Sequence, residues 1–185
     1  MSGALRGLLG FVFTVVGLGT LLSGSTSYPF PNLQQALVAE VYRSLTFHLA
    51  PLSALAGEGL TLERYGFVVS TGNGFYPLVS LFVAGAVAGL CAGRSGSAAA
   101  PLLGSASVFG LWQLLGFYVM SVAFGDQSWV TAIDRINAFL LIERPLELVA
   151  LFAVPLPVSL GVGHLVDRPE RERPFTVVEP LSRLR

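Results

Sequence analysis

Four long apolar stretches constrain this chain more than any other feature of its sequence. They cover roughly residues 5–22, 77–93, 101–124 and 145–166, and most charged residues lie between or after them. An α-helix rises about 1.5 Å per residue, so about 20 apolar residues cross the roughly 30 Å hydrocarbon core of a bilayer. Backbone groups in lipid must pair within the protein, and these stretches lack the strict alternation of barrel strands. The sequence therefore predicts an all-α membrane protein with four transmembrane helices in a bundle.

The composition fits a chain built for lipid and excludes several classes of function. Of the 185 residues, 53% are hydrophobic and only 12% are charged, whereas about a quarter of a soluble domain is charged. The formal net charge is zero, which argues against a nucleic-acid partner. Every basic residue is arginine, so chemistry that needs a lysine is excluded. We expect a multi-pass protein of the cytoplasmic membrane.

The positions of the arginines predict the orientation of the chain. With the N-terminus in the cytoplasm, seven of the eleven arginines lie inside, as the positive-inside rule favours. Residues 1–166 then form the membrane domain, with the first stretch kept as an anchor rather than cleaved as a signal peptide. Residues 167–185 form a cytoplasmic tail, which is either solvated or docks a cytoplasmic partner. No catalytic set and no metal site are predicted, because His48 and His164 are expected on opposite sides of the membrane.

The two segments predicted to lie outside each contain an amphipathic helix. Residues 32–50 show apolar side chains at every fourth position, with Asn32 as a plausible N-cap, and residues 125–144 show a similar helical spacing. Thr61–Ser70, between the two helices, is interpreted as strand or turn. The apolar positions are Leu33, Leu37, Val41, Leu45 and Leu49 in the first helix, where Glu40, Arg43 and Ser44 lie elsewhere, and Trp129, Ile133, Ile136 and Leu140 in the second.

The second apolar stretch carries the clearest packing motif. Gly85, Gly89 and Gly93 recur every four residues among alanines, and small residues at this spacing let another helix approach closely. The partner is either another helix of this chain or another subunit. The short link 94–100 predicts that the second and third helices form an antiparallel hairpin. The first stretch has a second face of this kind, formed by Gly3, Gly7 and Gly10.

Gln113 lies near the middle of the third stretch, where a polar amide requires a hydrogen-bond partner. We interpret it either as a structural clasp between two helices or as a ligand contact, for instance to a quinone carbonyl. In the second case Trp112, Phe109 and Tyr118 supply the walls of the site.

Glu143, Arg144 and Glu147 form a charged group at the predicted outer end of the fourth helix. Their spacing lets them share one helix face, either as an ion pair at the membrane interface or as a site inside the membrane. If the helix begins at Pro145, Glu147 lies in its first turn and interacts favourably with the helix dipole. This group is the best candidate site in the sequence.

Three short motifs resemble those of a known family of membrane proteins. They are Leu5–Gly10 leading to Gly17–Gly19, then Gly85–Arg94, and finally Gly161–Arg168. These motifs resemble the DoxX/DoxD group of small four-helix membrane proteins. The resemblance implies a subunit of a quinone-linked redox system, such as archaeal thiosulfate:quinone oxidoreductase or a terminal oxidase assembly. It carries over no active-site residue.

These observations predict a non-catalytic membrane subunit of a larger, respiratory complex. Its partners are other membrane subunits and lipids, and it binds no cofactor alone, with quinone as the candidate ligand at a shared site. The alternative is a small transporter or channel with a polar path past Gln113 and Glu147.

Overall fold

The chain is mostly helical, and the computed structural model describes residues 2–23, 32–64, 67–120 and 127–166. Among these residues, four helices are long and apolar enough to cross a membrane. The four predicted spans are therefore present in number and approximate position, while the cytoplasmic tail and residues 121–124 lie outside the described part. Which side faces the cytoplasm stays a prediction. The four spans are Gly3–Leu22, Tyr76–Gly96, Ala99–Phe117 and Pro145–Val166.

Eight helices and one strand pair organise the described residues. The helices are α1 (Gly3–Leu22), α2 (Leu33–Phe47), α3 (Pro51–Leu55), α4 (Tyr76–Gly96), α5 (Ala99–Leu114), α6 (Gln127–Ala138), α7 (Pro145–Ala153) and α8 (Pro155–Val166), with π-helices at Leu115–Met120 and Phe139–Glu143. Strands β1 (Thr61–Arg64) and β2 (Phe67–Ser70) pair antiparallel, with Thr61 opposite Ser70. The all-α prediction is therefore wrong for this segment, and the strand interpretation of Thr61–Ser70 is confirmed.

The fourth span consists of two helices, because a proline interrupts it. Pro155 has no N–H to donate to the carbonyl of Leu151 four residues earlier, so the helix breaks at Val154. The Ser105 hydroxyl of α5 donates to that carbonyl instead, at 2.8 Å. A carbonyl in the interior of a membrane protein needs such a substitute partner. The fourth span is therefore kinked at this point, and the bond that compensates for the break also ties α5 to α7.

α4 packs between α1 and α8 through small residues on two of its faces. A Cβ atom at Gly85 would lie 2.6 Å from the carbonyl oxygen of Pro155, and one at Gly89 would collide with the carbonyl oxygen of Ser159. On the other side, a Cβ atom at Gly7 would lie 2.7 Å from the Cβ of Ala92. The glycine face of α4 therefore has a partner within this chain, namely α8.

One detail of the sequence-based packing prediction is wrong, and another stays a prediction. α4 packs far more extensively on α1 and α8 than on α5, and the antiparallel hairpin of the second and third spans stays a prediction. Gly93 has φ 63° and ψ −175°, which interrupts the helix rather than extending its glycine face. Positive φ is a conformation that glycine adopts at little cost, so Gly93 is used here for a bend near the end of the span.

Replacing Gly89 with valine is expected to lower the free energy of unfolding by about 1–3 kcal/mol, because the new side chain must push the α8 backbone away. Gly161→Val is the matched control, since a Cβ atom at Gly161 meets nothing within 4 Å. Reversible unfolding in mixed micelles measures both variants. Equal stability of the two variants would contradict the close approach of α4 and α8.

The segments between the spans pack onto one end of the spans, and we call the described residues of 32–75 and 127–144 the cap. Every residue from Tyr42 to Ala50 is buried, including Arg43 and Ser44. By contrast, Leu33 and Leu37 at the start of α2 are exposed. The prediction of an amphipathic helix with one apolar face is therefore wrong for the second half of α2. That half is enclosed by α1, α5, the first π-helix and β2, so all its faces are covered.

Other features of the cap agree with the predictions made from the sequence. Ile133, Ile136 and Leu140 are buried, as predicted for the apolar face of the second connecting helix. The side chain of Trp129, the fourth predicted member of that face, lies outside the described part. Asn32 occupies the N-cap position of α2 with an extended backbone, although its side chain makes no capping hydrogen bond.

Candidate functional site

Glu147 connects the fourth span to the cap. It lies in the first turn of α7, as predicted for a helix that begins at Pro145, and only 2% of its surface is exposed. Its carboxylate accepts hydrogen bonds from the amides of Leu52 and Ser53, at 2.8 and 2.5 Å, and from the Ser53 hydroxyl. These amides belong to the first turn of α3, where helix N–H groups have no partner within the helix. Glu147 therefore supplies the N-terminal cap of α3 from a distant part of the chain.

Arg144 completes a chain of polar contacts through Ser53. Its guanidinium donates to the Ser53 hydroxyl oxygen at 3.0 Å and forms an ion pair with Glu58. The same guanidinium lies 5.5 Å from the centre of the Phe139 ring, within the range of a cation–π interaction. The Ser53 hydroxyl thus accepts from Arg144 while it donates to Glu147.

The structure corrects the predicted geometry of this charged group. Arg144 has φ −135° and ψ 63°, which interrupts the helix between Glu143 and Glu147. The three residues therefore do not share one face of a continuous helix, and Arg144 forms its ion pair with Glu58 rather than with Glu147. Glu143 ends the second π-helix and is exposed. Single π-helical turns frequently occur at functional sites.

A pocket of about 330 Å³ opens at this point of the structure. It brings together the three charged residues that the sequence singled out and adds Ser53, which it did not. No spacing in the sequence could reveal Ser53, because it lies 94 positions from Glu147. The lining residues are Leu52, Ser53, Glu143, Arg144, Pro145, Leu146 and Glu147.

Gln113 and Trp112 belong to a different region, where they join α5 to the cap. Gln113 and Asn137 of α6 exchange two amide hydrogen bonds, at 2.5 and 3.3 Å. Trp112 is fully buried, and its indole N–H donates to the Thr46 hydroxyl of α2 at 2.9 Å. These contacts favour the structural-clasp interpretation of Gln113. The side chain of Tyr118 lies outside the described part, so its predicted role as a wall is not addressed.

The Gln113–Asn137 pair is expected to show a coupling energy of about 0.6–2 kcal/mol in a double-mutant cycle, the range measured for interhelical hydrogen bonds in membranes. The cycle uses Gln113→Leu, Asn137→Leu and the double variant, each followed by unfolding in micelles. Strictly additive effects of the two substitutions would contradict the clasp.

A second polar cluster lies at the buried end of α2. Nδ1–H of His48 donates to the carbonyl oxygen of Ser44 at 2.8 Å, and Nε2 is buried without a hydrogen-bond partner. Burial lowers the pKa of His48 to about 4, and the bond to Ser44 opposes that shift only in part. One turn earlier, Arg43 forms an ion pair with Glu40 at 2.7 Å. No pattern in the sequence indicated that these polar residues are enclosed.

No family model matches the chain, and no curated protein or solved structure shows significant similarity to it. The resemblance to the DoxX/DoxD group, and the respiratory role that it implies, therefore stay predictions. What the fold and the site define is a class: a multi-pass membrane protein whose cap is hydrogen-bonded to its spans.

Proposed function

We propose that this protein is a non-catalytic integral subunit of a larger membrane complex. The observation that carries the proposal is that polar side chains in the spans form hydrogen bonds to other helices of the same chain. Ser105 bonds to the fourth span, and Ser159 donates to the carbonyl oxygen of Ser97 at 2.8 Å. Trp112 and Gln113 bond to the cap in the same way. These groups hold one helix of the chain to another, which is the role expected of a scaffold.

The outer surface of the spans is available for contacts with lipid or with other subunits. Large apolar side chains are exposed on all four spans, including Phe13 on α1, Leu103 on α5 and Val149 on α7. Lipid tails are as apolar as these side chains, so this surface suits van der Waals contact with lipid as well as with another helix. Other membrane subunits are the proposed partners, and the resemblance noted above adds a quinone-linked respiratory complex as the kind of assembly.

A photo-crosslinking amino acid placed in turn at Phe13, Leu103 and Val149 tests this proposal in native membranes. The proposal predicts that at least one of these faces yields the same discrete partner polypeptide in repeated experiments. The same three variants, purified and reconstituted alone in lipid vesicles, are the control and should yield only lipid adducts. Purification from native membranes should retain that partner, with haem or other redox groups in the preparation.

A protein that runs alone in gentle detergent and crosslinks only to lipid would contradict the subunit proposal. Solute flux in liposomes would contradict it more strongly if Gln113→Leu and Glu147→Gln both abolished that flux while the protein stayed folded. That outcome would favour the transporter alternative instead.

A further inference from the structure

A second cavity lies further along the fourth span from the pocket at Glu147. It is a groove of about 440 Å³ between α5 and the kinked fourth span. Unlike the pocket, it has an entirely apolar lining. The lining residues are Leu102, Leu148, Val149, Phe152, Ala153 and Leu156.

The pocket and the groove follow one side of the fourth span. Leu146 lines the pocket, and Val149, Ala153 and Leu156 line the groove. These positions are three, four and three residues apart, which places them along one face of a helix. With a rise of about 1.5 Å per residue, the two cavities together extend roughly 15 Å along the span. A pocket with charged residues at the cap is therefore followed, along the same face of the span, by an apolar groove.

We propose that these two cavities together bind one phospholipid whose headgroup carries a protonated amine. A membrane lipid lies with its headgroup at the interface and its acyl chains parallel to the spans. In the same order, charged residues line the pocket at the cap and only apolar residues line the groove. Only residues of this chain form the two cavities, so the proposal does not depend on partner subunits.

The charges around the pocket select the headgroup. The carboxylates of Glu143 and Glu147 line the pocket together with Arg144, and a third carboxylate, that of Glu58, forms an ion pair with Arg144. The Glu147 carboxylate already accepts hydrogen bonds from the first turn of α3. The Glu58 carboxylate is already paired with Arg144. Glu143 lines the pocket and is exposed, so its carboxylate is placed to receive an ammonium group.

Arg144 is placed to bind the phosphate of the same headgroup. A guanidinium has five N–H donors in a fixed plane, and two of its described hydrogen bonds go to Ser53 and Glu58. The remaining donors suit a phosphate oxygen, for which arginine is the preferred partner. A zwitterionic phosphate–amine headgroup satisfies both charges. A headgroup with a phosphate but no amine would meet an excess of negative charge without compensation.

Thermal stabilisation of the delipidated protein by added lipid tests the proposal. The probes are phosphatidylethanolamine, phosphatidylglycerol and phosphatidylcholine with identical acyl chains. We expect the apparent affinity for phosphatidylethanolamine to exceed that for phosphatidylglycerol by about five- to tenfold. Glu143→Gln should abolish that preference, whereas Asp134→Asn, which removes an exposed carboxylate on α6 outside the pocket, should leave it intact.

A bulky side chain in the groove tests the contribution of the acyl chains to lipid binding separately from that of the headgroup. Val149→Trp should weaken the binding of all three lipids by a similar factor. Equal affinity for the amine and glycerol headgroups in the wild-type protein would overturn the proposal, and so would a preference that survives Glu143→Gln. Because this experiment uses the isolated protein, its failure is distinguishable from failure to find a partner subunit.

Discussion

Glu147→Ala is expected to lower the free energy of unfolding by about 3–5 kcal/mol, which is the largest effect we predict for a single substitution. The alanine leaves the part-buried amide of Leu52, the buried amide of Ser53 and the buried Ser53 hydroxyl without their acceptor. Each buried polar group that loses its partner costs about 1–3 kcal/mol, and removal of a buried charged partner has comparable consequences. Chemical unfolding in mixed micelles measures the change.

The matched control for this prediction is Glu143→Gln. It removes a carboxylate four positions away that lies on the surface, so its effect should stay within about 0.5 kcal/mol. Glu147→Gln should fall between the two, because the amide keeps one acceptor oxygen but loses the charge. A Glu147→Ala protein as stable as Glu143→Gln would show that the cap does not depend on this carboxylate.

Acidification is expected to destabilise the protein by about 3 kcal/mol between pH 6.5 and pH 4, through His48. Burial lowers the pKa of His48 from 6.5 to about 4, so between these values the unfolded chain binds a proton that the folded chain does not. Stability therefore rises with pH in this window and is lost as the pH falls through it. Each unit of pKa difference corresponds to about 1.4 kcal/mol. The pH dependence of the unfolding free energy measures the effect.

Substitution of the histidine isolates its contribution to this profile. His48→Phe removes the titrating group and should flatten the stability profile between pH 4 and 6.5. His164→Gln is the control, because His164 is exposed near the end of α8, and it should leave the slope unchanged. A His48→Phe profile parallel to that of the wild type would mean that protonation of His48 is not coupled to unfolding.

The parts of the fold that follow from local physics were accessible from the sequence. Bilayer thickness sets the length of the spans, so four apolar stretches predict four spanning helices. Fourfold spacing of glycines predicts close packing, and Gly85 and Gly89 do contact α8. Proline at the first helical position correctly marks the start of α7 at Pro145 and places Glu147 in its first turn.

The parts that depend on long-range contacts were not accessible in this way. An amphipathic pattern assumes one buried face, but the end of α2 is enclosed on every side, so Arg43 and Ser44 are buried against expectation. The partner of Glu147 lies far away in the sequence, beyond the reach of any helical spacing. One local signal did exist. α3 begins at Pro51, and the residue at its N-cap position, Ala50, has no side chain that can accept a hydrogen bond. The first turn of α3 therefore needs an acceptor from elsewhere in the chain.

Amide hydrogen exchange at Leu52 and Ser53 tests most directly whether Glu147 holds the cap to the fourth span. We predict that both amides are strongly protected in the wild-type protein and exchange rapidly in Glu147→Ala. The amide of Gly72, which donates to the carbonyl oxygen of Phe47 at 3.0 Å, is the internal reference and should stay protected in both proteins. Rapid exchange of Leu52 and Ser53 in the wild type, or equal protection in the variant, would contradict the account.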